Sequence, residues 1–260
     1  MSGLVRSIGL VSHEFRYCQK VFWRNPGSVF FTVLFPVLLL IIFATIFGDD
    51  PIDTLGGLPT DRYYVPAIVA LAVISATFTS LAMNLTIARE EGLLERGRGT
   101  PQPAWVFIAG RVGNSLVVSA LMVVVVTLVG LALFGSPVPW GSLGLVVLVV
   151  LAGAGVFSVL GIAITAVVPS REAAPALVNL IVLPLYFLSG IFIPEGEIPP
   201  GVLDFAGAFP VRPFFELILA AWAPEADGPG FPWASVAVLL AWGALGLVLA
   251  LRFFRWTPRR

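Results

Sequence analysis

The residues that could do chemistry in this chain are few, and they fall in three places. The densest is 89–103, REEGLLERGRGTPQP. Its charges are mixed: Arg89, Glu90, Glu91, Glu95, Arg96 and Arg98. Leu93 and Leu94 lie among them, and Thr100-Pro101 closes the stretch. A short helix over about 90–96 followed by a stop is expected there. Such a knob can be offered to a partner protein, although an ordinary solvated loop would carry the same charges. The second place is 10–24. Leu10, Val11, Phe15, Tyr17, Cys18, Val21 and Phe22 share one arc of a helical wheel; Ser12, His13, Arg16, Gln19, Lys20 and Arg24 share the other. That pattern, with Trp23 near its end, fits a helix lying in the headgroup plane with its basic residues toward anionic lipid. The third place is a set of polar residues inside apolar runs. Ser75, Thr77, Thr79, Ser80 and Asn84 form one group, beside Phe78; Asn179, Tyr186 and Ser189 form another, beside Phe187. They could line an amphiphilic path, or simply bond their own backbone and pack against neighbouring helices.

The missing motifs are as informative. Lys20 is the only lysine and follows Gln19, so no GxxxxGK[ST] loop exists to cradle a nucleotide's phosphates. There is no HExxH pair, and His13 is the only histidine. The single cysteine, Cys18, excludes an intrachain disulfide and a multi-cysteine metal site. Net charge is zero, which gives no field suited to nucleic acid. No Asp or Glu stands midway through a long apolar run, where ion-coupled carriers commonly keep one. No TVGYG-like filter is present either. Any energy for transport is expected from another subunit.

The elements that must hold these residues are set by hydropathy. Of 260 residues, 58% are hydrophobic and 12% charged, and mean hydropathy is +0.98. A soluble domain carries roughly 25% charged residues, so water cannot be this chain's solvent. A spanning helix needs about 20 apolar residues. Six runs are long enough: 28–47, 64–88, 105–134, 142–168, 176–194 and 234–254. The first 25 residues lack the order of a signal peptide, so insertion is expected to use the spans themselves. Asn25-Pro26-Gly27 separates the interfacial segment (1–27) from the membrane domain (28–260).

Orientation follows the basic residues. With the N-terminus inside, thirteen of the fifteen lie on the cytoplasmic side, and only Arg62 and Arg212 lie opposite. The segment 205–222 is apolar but broken by Pro210, Arg212, Pro213 and Glu216. Counting it as a seventh span would move the basic C-terminus outside. An outer hairpin over 195–222 keeps both termini in the cytoplasm, with Arg212 and Glu216 paired four residues apart. The expected fold is therefore all-α and integral to the membrane, with six spans, an interfacial N-terminal helix and a re-entrant outer hairpin. The near-exclusive use of arginine over lysine suits a bacterium with a GC-rich genome.

The loop 89-REEGLLERGRGTPQP-103 resembles the one that follows the second span in ABC-2 type permeases, and its RGTP form is similar to the daunorubicin-resistance-like drug exporters. A second likeness is 188-LSGIFIPEGEIP-199 followed by 209-FPVRPFFELI-218. Gly97 departs from the family loop, where Leu-x-Arg-Leu is frequent. The resemblance spans essentially the whole chain and implies a type V exporter architecture. It implies a permease pair, of equal or different chains, above two copies of an ATP-binding subunit. ATP and Mg would sit on that subunit, with none bound here. Residues Glu90, Glu91, Leu93, Leu94, Glu95, Arg96, Arg98, Thr100 and Pro101 would form the coupling loop. Phe15, Arg16, Lys20, Trp23 and Arg24 would form an elbow touching the ATPase. Ser75, Phe78, Thr79, Asn84, Asn179, Tyr186, Phe187 and Ser189 would line the path; Phe192, Phe209, Arg212 and Glu216 would form the outer gate. Substrates of that branch are hydrophobic or amphipathic small molecules, while other relatives move lipids or lipid-linked glycans. A stand-alone carrier or channel is the alternative of another class.

Overall fold

The computed structural model describes residues 2–47, 60–98, 104–224, 230–254 and 257. The regular structure among them is helical. In chain order the helices are α1 (Ser2–Arg24), α2 (Pro26–Ile46), α3 (Arg62–Glu90), α4 (Leu93–Arg98), α5 (Ala104–Phe134), α6 (Leu143–Ile164), α7 (Ala174–Leu188), α8 (Pro200–Gly207), α9 (Val211–Trp222) and α10 (Trp233–Phe253). Asn25 separates α1 from α2: its Oδ1 accepts the Ser28 backbone N–H at 3.2 Å, and Pro26 occupies the first turn. This is the N-cap chemistry that starts a helix.

Among the described residues, five helices are long and apolar enough to cross a bilayer: α2, α3, α5, α6 and α10. The expected span at 176–194 is represented by α7, which has 15 residues. At 1.5 Å per residue that is about 22 Å, short of the roughly 30 Å hydrocarbon layer. Its end has a local cause. Ser189 Oγ donates to the Tyr186 carbonyl at 3.1 Å, and Gly190 adopts φ +90, a left-handed conformation that closes helices. The segment 205–222 also resolves into short pieces, α8 and α9, of 8 and 12 residues. At about 18 Å, α9 is too short to be a seventh span.

Burial separates a central post from its surround. The spanning stretch of α3 is 83% buried, whereas those of α2, α5 and α10 are 22%, 28% and 17% buried. The latter three turn Leu, Val and Phe outward, an apolar surface that lipid rather than water would cover. Around α3 stand α2, α5, α6, α7 and α9. The short helix α9 is apolar on nearly every side, and ten of its 12 residues are buried. It fills the space between α3, α6 and α10, with the Phe214 ring over Gly153 of α6, where a Cβ would lie 2.0 Å from the ring. At Gly161 the backbones of α6 and α3 meet: a Cβ there would stand 2.8 Å from the Phe78 carbonyl oxygen. Small residues permit this approach, and dispersion then holds the helices together in a solvent that offers no hydrophobic drive.

Candidate functional site

A cavity of about 410 Å³ opens between α2, α3 and α7. Both α2 and α3 carry a π-turn on its wall. The Phe35 N–H bonds back to Phe30, and the Ser80 N–H to Ser75, five residues in each case. Each π-turn shifts the register of the side chains that follow it, and such turns are frequent at functional sites. In α3 the buried Thr77 hydroxyl donates to the Val73 carbonyl at 2.6 Å. The outcome is a polar strip along an otherwise apolar wall. Ser75 Oγ and Tyr186 OH lie 3.3 Å apart across the cleft, and Asn84 Nδ2 donates to Ser80 Oγ at 3.1 Å. Thr79 and Asn179 line the same space. Among the described residues, none that lines the cavity is Asp, Glu, Lys, Arg or His.

Five of the expected path residues thus meet here: Ser75, Thr79, Asn84, Asn179 and Tyr186. Three do not line the cavity. Phe78 backs onto Gly161 of α6. Phe187 is 49% exposed and packs on Phe192, with centroids 4.9 Å apart. Ser189 is buried in the turn that ends α7. The sequence reading also passed over the first span's share: Asn25, Ser28 and Thr32 lie on the wall. Their spacing of three and four residues was the available signal.

The charged segment after α3 differs from its expectation in register. In place of a helix over 90–96, α3 runs to Glu90, Gly92 turns left-handed at φ +70, and α4 spans Leu93–Arg98. Glu91, Glu95 and Arg96 are exposed, and Leu93 is 37% exposed. Leu94 is buried beneath α4, and Glu90 is held at 2.8 Å by Arg89, so neither is presented outward. The Arg98 side chain, Thr100 and Pro101 lie outside the described residues. Arg89 itself is 1% exposed. Its Nη1 donates to the Thr165 carbonyl and its Nη2 to the Val168 carbonyl, both at 2.7 Å. These carbonyls lie just beyond the C-terminus of α6, where a cation also suits the helix dipole. Arg89 therefore clasps the end of α3 to the end of α6. A weaker tie joins Glu91 to Arg171 at 3.8 Å, both about half exposed. Arg171 Nε donates to Glu172 at 2.7 Å, and this bond holds the Glu172 carboxyl below the usual carboxylate range.

At α1, Arg16, Lys20, Trp23 and Arg24 are exposed, while Phe15 is half-buried. The buried stripe comprises Cys18 and Phe22; Tyr17 and Val21, placed on the same arc by the helical wheel, are 51% and 47% exposed. The reason is that α1 packs on α5, with Glu14 against Gly110. Burial pushes the Glu14 carboxyl up, partly offset by Arg111, and pushes the Cys18 thiol up to about 11.

At the other end of the bundle, Arg212 Nε donates to Glu216 at 2.6 Å and Arg212 Nη2 to Glu195 at 3.5 Å. Ser235 of α10 donates to the second Glu216 oxygen. The pairing expected from the four-residue spacing is present, and it ties α9 to α10 and to the turn after α7. Tyr63 of α3 donates to the Gly190 carbonyl beside it. Phe209 stacks on Trp242 of α10, but Phe192 packs with Phe43 and Tyr186 on the cleft side. The four residues expected at the outer gate are thus divided between two places. Among the described residues, no three of His, Cys, Asp and Glu converge as a metal site would require.

Residues 12–222 match the ABC-2 type transporter family. The chain belongs to this family. The matched region takes in the second half of α1, the cleft, the Arg89 clasp, α8 and α9. The chain is also similar to the inner membrane transport permease YadH of Escherichia coli K12, with 24% identity over 172 residues, 65% of this chain and 66% of YadH. That match spans a little under two thirds of the relative's length. The putative transport permease ycf38 of Porphyra purpurea is 22% identical over 245 residues, 91% of this chain and 82% of that protein. An ABC-2 permease is a multi-pass membrane protein, and its family in general works with an ABC ATPase partner.

Proposed function

We propose that this ABC-2 chain is one permease half of an ATP-driven exporter, moving hydrophobic or amphipathic small molecules of the drug or antibiotic class out of the cell. The observation that carries the reading is the uncharged cleft between α2, α3 and α7, with its strip of hydroxyl and amide groups on an apolar wall. Such a wall accepts an apolar body with a few hydrogen-bonding groups. Its described lining holds no Asp, Glu, Lys, Arg or His for ion coupling, which speaks against a stand-alone carrier.

In this reading α7, together with 189–194, completes a six-span domain whose termini both face the cytoplasm of a bacterial cell. The interfacial elbow α1 lies on the cytoplasmic surface, and α8–α9 is the re-entrant hairpin of the outer gate. A second permease, identical or different, completes the pair. Two ATP-binding subunits dock on the α4 segment and bring ATP and Mg. Closure of those subunits pushes α4. Arg89 passes the push to α3 and α6 together, and the α3 wall of the cleft moves.

Glu95→Arg and Arg96→Glu test this reading, because both side chains are exposed on α4. Co-expressed with its ATPase in proteoliposomes, each variant should lose export and substrate-stimulated ATP hydrolysis while retaining basal hydrolysis. Unchanged export would remove α4 from the coupling role. A substrate screen in the same vesicles separates small amphiphiles from lipids and lipid-linked glycans.

A further inference from the structure

A second, smaller cavity of about 160 Å³ lies where α1, α3 and α5 meet at the charged end of the bundle. α1 is pinned over it: a Cβ on Gly110 of α5 would stand 2.5 Å from Glu14 Cγ, so the helices are in backbone contact just beside the cavity. Asn25, Ser28, Asn84 and Ile87 line both this cavity and the cleft, but the rest of the lining is different in kind. Here the wall carries charge. Arg111 of α5 lies on one side and Glu91, just past α3, on another, with Asn114 and Ser115 between them.

Two buried polar atoms of this wall, both on α5, are unsatisfied. Asn114 is 8% exposed and its Oδ1 has no hydrogen-bond donor. Arg111 Nε is buried without an acceptor, and the guanidinium rests on the Phe107 ring at 4.2 Å. A buried acceptor and a buried cationic donor are costly to leave unmade. Together they ask for a ligand with an anionic oxygen at one end and an N–H donor at the other. Arg111 has Glu14 nearby and Glu91 has Arg171 at 3.8 Å, so two cations and two carboxylates leave no net charge, and a purely anionic group would gain at Arg111 and lose at Glu91. The volume equals roughly five water molecules, enough for a phosphate and a two-carbon amine. α1, with its exposed Arg16, Lys20 and Arg24, roofs the site beside the charged segment that follows α3.

We infer that this cavity binds the headgroup of a zwitterionic aminophospholipid of the phosphoethanolamine type. The phosphate takes Arg111, and the ammonium takes Asn114 Oδ1 and Glu91. The acyl chains lie outside, along the lipid-facing surfaces. The inference requires only that the chain sits in a bilayer. It is independent of what the cleft transports.

The test is native mass spectrometry of the full chain released from nanodiscs of phosphatidylethanolamine, phosphatidylcholine or phosphatidylglycerol. Phosphatidylcholine keeps the phosphate but has no N–H, and phosphatidylglycerol lacks the ammonium. Retained lipid should be about tenfold greater for phosphatidylethanolamine than for either. Asn114→Leu and Arg111→Ala should each abolish that preference. Should either fail to fold, Glu91→Gln at the exposed mouth still tests the assignment, because it should shift retention toward phosphatidylglycerol. Equal retention of the three lipids, or a preference untouched by the variants, overturns the proposal and leaves a water-filled pocket. Free O-phosphoethanolamine competing as well as the whole lipid would keep the headgroup chemistry and overturn the bilayer source.

Discussion

Replacing Arg89 is the sharpest test of how this protein is held together. The guanidinium is 1% exposed and makes three short contacts: Glu90 at 2.8 Å, and the Thr165 and Val168 carbonyls at 2.7 Å each. Hydrogen bonds to a charged group contribute about 1.5–3 kcal/mol each. Removing one partner of a buried charged set costs about 3–5 kcal/mol, because the groups left behind are stranded. In Arg89→Ala these are two carbonyls at a helix end and one carboxylate, so a loss of about 3–5 kcal/mol is expected. Arg89→Lys keeps the charge but not the planar fork that reaches two carbonyls at once. It should cost about 1.5–3 kcal/mol. At about 2–4 °C per kcal/mol for a chain of this size, the alanine variant should melt roughly 10 °C lower. Tryptophan fluorescence of purified protein in detergent reads this, and hydrogen exchange should rise at 165–168. A melting shift within about 2 °C for Arg89→Ala, with exchange there unchanged, would refute the clasp.

Other outcomes follow from separate contacts. Gly161→Ala should push α3 and α6 apart, since its Cβ would meet backbone at 2.8 Å, and cost about 1–3 kcal/mol in thermal unfolding. Arg212→Ala and Glu216→Gln, measured singly and together, should show a coupling of about 1–3 kcal/mol in a double-mutant cycle. Additive effects would dissolve the outer cluster. Burial pushes the Cys18 thiol up to about 11, leaving about one thiolate in ten thousand at neutral pH. Maleimide should label it far more slowly than a cysteine at the exposed position 17 in Tyr17→Cys/Cys18→Ser. Glu14 titrates above its ordinary value because it is buried. Its folded state favours the protonated acid, so its contribution is complete below the unfolded pKa and is lost as pH rises through the folded one. Glu14→Gln should therefore raise the melting temperature relative to wild type over that rise, and not at lower pH.

Much of the architecture was legible because lipid imposes strict rules. A run such as 28–47 has no soluble alternative, and five of the six expected runs are helices of spanning length. The pairing of Arg212 with Glu216 was legible from spacing, since residues four apart on a helix are neighbours. The end of α7 at Leu188 was not, because hydropathy continues through Ile191, Phe192 and Ile193 while Gly190 turns the chain. The register of α4 was hidden for the same reason: Gly92 could have sat inside a helix, and its left-handed φ is a fact of the folded backbone.

The sequence by itself determined the solvent and the number of apolar runs. These depend on summed transfer energies, which are properties of composition along a line. It could not determine that Arg89 leaves the solvated loop and closes the end of α6, 76 residues away. Nor could it separate Ser75 and Tyr186, which meet across the cleft, from Ser189, which only caps its own helix. A polar side chain's role depends on which unsatisfied group lies within 3 Å of it. That neighbour is chosen by how the helices pack, which in this chain rests on where glycines let backbones touch.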